Sequence, residues 1–412
     1  METLLSHHLV NFNQNLISTI TEESMAGEGG LSSYLSRIQV IYKDGQRETY
    51  IHKTTEHFRL STSISLGLAR EALFYSSWSS HIEKIMGKGS LPIIYGSTGC
   101  MTTGTKSILL ESIDNSIQAG YLFGPGSPHN LKKDLKYYES IATIDSASLS
   151  SIAFKMMARL HRAYWNKHEL LISQPQASWL RGSEWYIGRN QESWEKSQSY
   201  ASACWAQTLA KINKISTDEV KIAADESDTS PDTKTSQFSS TEKVNWDPLL
   251  IEIINASIKS VSWKTYQSQL STSTFTLVHG DFHPANMLWV PSTKRLVMLD
   301  WENIGIGSGP QDCAQFLISH TNPSIRATIE EKLMKDYYEE LTSDSDIKIE
   351  PLYTFDQCYN DYIKGGSERW IWLLCILSTM CPPTMVQYFH DQTIAFMKDH
   401  NINPLNVGMP RV

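Results

Sequence analysis

The sequence predicts an α+β protein in which a small sheet comes first and a larger, mainly helical part comes after it. Three observations carry that prediction. Short alternating apolar runs, separated by turn residues, crowd the chain up to about Glu111. Long stretches with helical spacing fill most of the remaining chain. Near position 280 a polar turn sits between two short apolar runs, so a few strands return deep inside the helical part. Strands gathered early and helices gathered late are the pattern of α+β rather than α/β folds.

A chain of 412 residues forms one large domain or two lobes. We divide it at 1–111 and 112–412. Hydrophobic residues at 41% and charged residues at 19% suit a protein with a sizeable core. A net charge of −8 argues against a nucleic-acid partner, which calls for a basic stripe. The six cysteines form no C-x-x-C pair, so they read as buried free thiols in a reducing, cytoplasmic compartment. The first twenty residues lack the basic and apolar segments of a signal peptide. The most apolar stretch, Trp370 to Cys381, falls short of the roughly 20 residues a membrane span needs, so no span is expected. Asn255-Ala256-Ser257 matches a glycosylation acceptor by chance.

Taken in order, Met25 to Ser33 is a glycine-rich turn, and Tyr34 to Tyr42 alternates like a strand. Asp44-Gly45 signals a hairpin, with Glu48 to Thr54 as the returning strand. Ser65 to Ile85 has helical spacing, and Leu91 to Ile94 and Lys106 to Leu110 read as two further strands. Helices are expected at Asp145 to Trp165, Glu184 to Ile215 and Trp246 to Ser262. Between the last two, residues 216–242 are rich in Asp, Ser, Thr and Lys. They are read as a disordered loop, because so few apolar groups cannot offset the ordering entropy. Short strands come next at Phe275 to Val278, Met287 to Val290 and Leu296 to Leu299. Helices close the chain at Gly309 to Ser319, Ser324 to Leu341, Tyr353 to Ser378 and Thr384 to His400.

The chemistry concentrates in His279-Gly280-Asp281-Phe282-His283-Pro284-Ala285-Asn286 and in the run ending at Asp300. Phosphoryl transfer needs a carboxylate to accept the proton of the attacking hydroxyl, for which Asp281 is the candidate. It also needs hard oxygen donors for Mg²⁺, and Asn286 and Asp300 supply an amide oxygen and a second carboxylate. A competing reading takes His279, Asp281 and His283 as alternate ligands of a hydrolytic metal such as zinc. A catalytically dead nucleotide-binding protein is a third.

The pattern H-G-D-x-H-x-x-N, with a later strand ending in Asp300, resembles the aminoglycoside phosphotransferase and choline-kinase-like families, relatives of the protein kinases. The resemblance runs from about Met25 to His400. Gly27-Glu28-Gly29-Gly30-x-Ser32, the Glu71-Ala72-x-Phe74-Tyr75 stretch and Asp300-Trp301 look most like the ecdysteroid-kinase-like branch. The resemblance implies a bilobal protein-kinase-like fold, ATP and Mg²⁺ as cofactors, and a small-molecule alcohol as acceptor. It implies that Gly27, Gly29, Gly30 and Ser32 approach the phosphates and that Lys53 pairs with Glu71 to hold them. Backbone groups at Glu111 and Ile113 would meet the adenine edge. His279, His283 and Asp312 would support the catalytic loop. Ser112 at the hinge and the 216–242 insertion depart from the family pattern. No A-P-E-like end comes after Asp300, which disfavours protein substrates. Trp165, Trp179, Trp185 and Trp194 are candidates for an aromatic acceptor wall, with core packing as their competing use. The Cys381 to Gln392 segment yields no chemistry.

Overall fold

The computed structural model describes residues 5, 13, 16–25, 33–127, 130, 133–225, 243–343 and 353–412, with positions 215–225 described by backbone alone. The glycine-rich turn with Gly27, Gly29, Gly30 and Ser32 lies outside them. An antiparallel sheet opens the chain: β1 (Ile17–Ser24), β2 (Tyr34–Tyr42), β3 (Arg47–Thr54), β4 (Ile94–Cys100) and β5 (Thr105–Glu111), in the spatial order β1-β2-β3-β5-β4. The Asp44-Gly45 turn makes the hairpin between β2 and β3, and Asp44 Oδ1 accepts the Gln46 N–H at 2.9 Å. Register sets Lys53 opposite Leu35 on one side and Ile108 on the other. One face of the sheet packs Ile38, Val40, Tyr50 and Leu109 together with Leu5. Ile51, Ile108 and Leu110 on the other face join the main core.

Three expectations shift here. β1 is unanticipated, because its Thr-, Ser- and Glu-rich side chains are mostly exposed and show no apolar alternation. The strand expected over Leu91 to Ile94 instead begins at Ile94, with Leu91 already buried in the core ahead of it. The single helix expected from Ser65 to Ile85 is three: α1 (Leu60–Leu66), α2 (Arg70–Ser77) and α3 (Ser79–Met86). Gly67 ends α1 at φ +70°, donating back to Ile64 and Ser63. Such a left-handed C-cap costs glycine little. A second break falls at Trp78, whose ring stacks on Tyr164. Helical spacing survives the second break because α2 and α3 both bury apolar residues, with Ala72, Phe74 and Ile82 inaccessible, whereas α1 leaves Ile64 and Leu66 exposed.

After the sheet come β6 (Ile117–Gln118), α4 (Leu135–Ala142), α5 (Ser146–Tyr164), α6 (Gln191–Asp225), α7 (Pro248–Lys259) and α8 (Trp263–Leu270). Asp145 caps α5 by accepting the Ser148 N–H at 2.7 Å, and Asp247 caps α7 through the Leu249 N–H. The helix expected from Glu184 is a 3₁₀ turn, Trp185–Ile187, closed by Gly188 in the left-handed region before α6 starts. At its other end α6 runs to Asp225, into the segment expected to be loop. Once nucleated, a helix adds residues cheaply, and Glu219, Lys221, Ala223 and Ala224 are good helix formers. Positions 226–242 lie outside the described residues.

The segment from Thr276 to Gly307 then folds as β7 (Thr276–Val278), β8 (Met287–Val290), β9 (Arg295–Met298) and β10 (Gly305–Gly307). β7 pairs with β10, and β8 lies between β6 and β9. The chain ends in α9 (Gly309–His320), α10 (Pro323–Thr342), α11 (Phe355–Met380) and α12 (Pro383–Asp399). Every residue of α9 is buried, so the larger lobe is built around it. α11 opens with a capping box, Thr354 with Gln357. The result is a small antiparallel lobe on a large helical one, the expected α+β architecture.

Trp370 to Cys381 falls within α11 and at its end, and among the described residues no helix is long and apolar enough to cross a membrane. Four cysteines are buried free thiols and Cys381 is half-buried. Cys100 is exposed instead, because it ends β4 at a hairpin tip.

Candidate active site

The turn between β7 and β8 is held from beneath. Asp312, on the first turn of α9, accepts the His279 N–H at 2.8 Å and the Gly280 N–H at 3.1 Å. Arg369 on α11 donates to the Gly280 carbonyl at 3.0 Å. Gly280 has φ +78°, and a Cβ there would run into the Asn303 carbonyl and the Arg181 guanidinium. Both the torsion and the contact demand glycine. The His279 ring donates Nε2–H to the Leu299 carbonyl at 3.0 Å, and its Nδ1 accepts the Asp281 N–H at 3.3 Å. Burial pushes its pKa below the ordinary 6.5 despite the nearby Asp312 and Asp281. A neutral ring fits one nitrogen donating and the other accepting.

Asp281 is fixed on both oxygens yet keeps 27% of its side chain exposed, so a ligand can reach it. Oδ1 accepts from Gln315 of α9 at 2.8 Å, and Oδ2 accepts from Asn286 Nδ2 at 3.2 Å. His283 Nε2 lies 3.5 Å from Oδ2. Burial alone would raise this carboxyl's pKa, but His283, His279 and Arg369 outweigh it and hold the group well below the usual carboxylate range. Asn286 Nδ2 also donates to the Asp281 carbonyl at 3.0 Å. With its nitrogen end engaged, the amide oxygen is the end left for a cation.

A chain of buried charges joins the two lobes. Lys53 Nζ lies 2.9 Å from Glu71 Oε1 and 2.8 Å from Asp300 Oδ1. Lys106, on β5 and fully inaccessible, reaches Glu71 Oε2 at 2.7 Å and Glu302 Oε2 at 3.1 Å. For Lys53, burial works against its charge, but Asp300, Glu71 and Glu302 more than offset that and raise its pKa. Burial likewise opposes ionisation of Glu71, and Lys106 and Lys53 reverse it, keeping Glu71 charged. Glu302 shifts upward, first through burial and then through Asp300. Asp300 adopts φ +62°. Trp301, between the two acids, stacks on Phe74 of α2 at 4.4 Å. Glu71, Asp300 and Glu302 have carboxylate oxygens within 4.8 Å of one another, as metal ligands do. Here two lysine ammoniums lie among them.

At the hinge, the Glu111 side chain pairs with Arg295 at 3.3 Å and its N–H donates to Ile93. The Ile113 carbonyl accepts from Ser116 Oγ. The tryptophans divide. Trp165 packs against Tyr353 and Trp179 against Trp78, both part of the core. Trp185 and Trp194 instead line a cavity of about 80 Å³ with Tyr186, Tyr266, Arg181 and Glu368. Three buried polar atoms on its wall have no hydrogen-bond partner: Gln198 Oε1, Ser308 Oγ and Glu368 Oε1. Arg181 is buried, which lowers its pKa, while Asp312 and Asp281 pull it back up. It therefore lies in the field of the Asp281 turn.

Sequence reasoning missed Lys106, Glu302, Gln315, Arg369 and Arg181. A faint signal exists for two of them: Lys106 and Arg369 are lone charges in apolar surroundings. The zinc reading finds no support in this geometry. Both His279 nitrogens are committed to backbone groups, and among the described residues the cluster able to hold a metal is Glu71, Asp300 and Glu302.

A family model described as DUF1679, "Uncharacterized oxidoreductase dhs-27", matches residues 225–390. No curated protein matches the chain in sequence. Among solved structures, the chain is similar to a choline kinase from Cryptosporidium parvum, at 11% identity and a TM-score of 0.49, covering 98% of this chain and 97% of that one. It is similar to a Plasmodium vivax ethanolamine kinase at 9% identity and a TM-score of 0.44, covering 95% and 92%. A macrolide 2'-phosphotransferase from Brachybacterium faecium aligns at 11% identity and a TM-score of 0.35, covering 96% and 95%.

Proposed function

We propose that this protein transfers the γ-phosphate of ATP, with Mg²⁺, to a hydroxyl of a small molecule such as an amino alcohol, an aminoglycoside or a steroid-like alcohol. The observation that carries the reading is the bridge from Lys53 to both Glu71 and Asp300, which joins residues 247 positions apart at 2.8 Å. A strand lysine shared between a helix glutamate and a carboxylate at a turn of the other lobe is the arrangement that phosphate holding requires.

The residues present fit both cofactors. Asn286 and Asp300 are hard oxygen donors suited to Mg²⁺. Lys53 stays protonated and is suited to phosphate oxygens. The Ile113 N–H makes no bond among the described residues and is available to an adenine edge. The glycine turn at 27–30, with Ser32, remains the proposed cover over the phosphates. When bound, the metal and nucleotide supply charge neutralisation and the transferable phosphoryl group.

The chain's own groups do the rest. Asp281 accepts a hydrogen bond from the acceptor hydroxyl and orients it. With its pKa far below neutral, it is a weak base that takes the proton late, which suits a loose transition state. Gln315 and Asn286 fix which carboxylate oxygen faces the acceptor. His279 and Asp312 hold the backbone beneath it. The cavity with Trp185, Trp194 and Arg181 is the proposed acceptor pocket, because aromatic and charged side chains line it together. The word oxidoreductase in the matched description is not adopted. Hydride transfer from a dinucleotide is typically built on a parallel sheet, and every pairing between the strands β1 to β10 is antiparallel, an isolated parallel bridge from Arg181 to Gly305 aside.

The test is thermal unfolding with ATP, with and without Mg²⁺, and then an ATP-consumption screen against the three alcohol classes. Mg²⁺-dependent stabilisation and turnover with one class are expected. Nucleotide binding without turnover on any alcohol would favour a dead kinase, and no nucleotide response at all would sink the reading.

A further inference from the structure

We propose that Lys106 is a positioning residue for Lys53, acting through a closed ring of buried charges that the phosphotransferase reading does not itself require; the role presupposes that reading. The ring runs Asp300–Lys53–Glu71–Lys106–Glu302, with separations of 2.8, 2.9, 2.7 and 3.1 Å. The two-residue turn from Asp300 to Glu302 closes it. Holding phosphate takes one lysine and one glutamate. Here a second lysine, 0% exposed, stands behind the glutamate and touches nothing a nucleotide could reach.

Geometry gives Lys106 a specific task. Glu71 lies at the start of α2, whose neighbouring Arg70 donates to the Glu302 carbonyl at 3.0 Å. The Asp300–Glu302 turn is therefore clamped three ways onto the small lobe: Asp300 on Lys53, Trp301 on Phe74, and Glu302 on Lys106 and Arg70. When Lys53 turns toward a phosphate, Glu71 would otherwise face an apolar core with its charge uncompensated. Lys106 keeps Glu71 neutralised and in place, so Lys53 can leave Asp300 without the helix moving. Buried ion pairs broken on one side are costly, which makes such a spare partner consequential.

The experiment is a double-mutant cycle on the full chain with Lys53→Met, Lys106→Met and both together, read by Mg²⁺–AMP-PNP affinity and by melting temperature. Lys53→Met should weaken nucleotide binding at least tenfold and Lys106→Met severalfold. The double variant should bind no more weakly than Lys53→Met alone, because Lys106 acts through Lys53. Its melting temperature should fall by more than the two single shifts combined, since Glu71 then has no cation left. Wild-type affinity in Lys106→Met, or effects that multiply in the double variant, overturns the proposal. If Lys106→Met does not fold, Lys106→Met with Glu302→Gln removes the stranded carboxylate and should show the same loss of affinity. A wild type that binds no nucleotide overturns the phosphotransferase reading, and the positioning role with it. Additive melting shifts with nucleotide binding intact overturn only the sharing of Glu71.

Discussion

On the proposed function, the phosphate side and the acceptor side of the site are built on opposite plans. On the phosphate side every charge has an opposite partner, although the Tyr75 hydroxyl and the Trp301 indole N–H packed against the charges have no hydrogen-bond partner. On the acceptor side Asp281 is partly exposed, and three buried polar atoms in the adjoining cavity have no partner. A saturated network resists change, because removing one member strands another. A partly exposed carboxylate tolerates change more readily, since solvent can replace a lost partner. The difference separates a part that serves any phosphoryl transfer from a part that selects what receives the phosphate.

The sharpest way to break this contrast is at the residue where the two sides meet. Asp281→Asn should lower kcat by about 10²–10⁴ while leaving Mg²⁺–nucleotide affinity within a few-fold of wild type. Single-turnover kinetics beside calorimetric binding reads both. Full activity in this variant would remove Asp281 as the base. Next in size is Gly280→Ala, which forces a Cβ into the left-handed region against the Asn303 carbonyl. It should cost about 1–3 kcal/mol in denaturant unfolding and also displace Asp281. An unchanged unfolding midpoint would mean the turn relaxes freely.

The smallest effect concerns His279. Its pKa is lowered in the folded state, so the unfolded chain binds the extra proton first. Stability therefore falls as pH drops below about 6.5 and levels off below the folded value. His279→Gln keeps a hydrogen-bonding side chain without that titration. The stability difference between wild type and variant should shrink by pH 5 relative to pH 8. A pH-independent difference would show that His279 titrates normally.

How much the sequence discloses depends on how local each signal is. His279 to Asn286 and Asp300 are legible because their spacing along the chain is itself the chemistry. Lys53 and Glu71 are legible through their order relative to a hairpin and a helix. Lys106 is not, because its partner Glu302 is 196 residues away and a lone strand lysine looks alike whether solvated or paired. Arg369 reaches Gly280 from 89 residues downstream and escapes notice for the same reason. In the fold, helical spacing locates the apolar stripe at Ser65 to Ile85 but not its two breaks. Breaks depend on torsion at Gly67 and on ring packing at Trp78, and neither leaves a periodic trace.

The left-handed torsion of Asp300 has a consequence for how this chain can drift over generations. A backbone at φ +62° admits Gly, Asn and Asp at low cost and penalises nearly everything else. Pairing with the buried Lys53 ammonium demands a carboxylate. Position 300 is thus filtered twice, once by shape and once by charge. Asn satisfies the first filter and lacks the charge for the second. A descendant that kept this architecture but abandoned its chemistry would be recognisable by Asn or Gly at that single site.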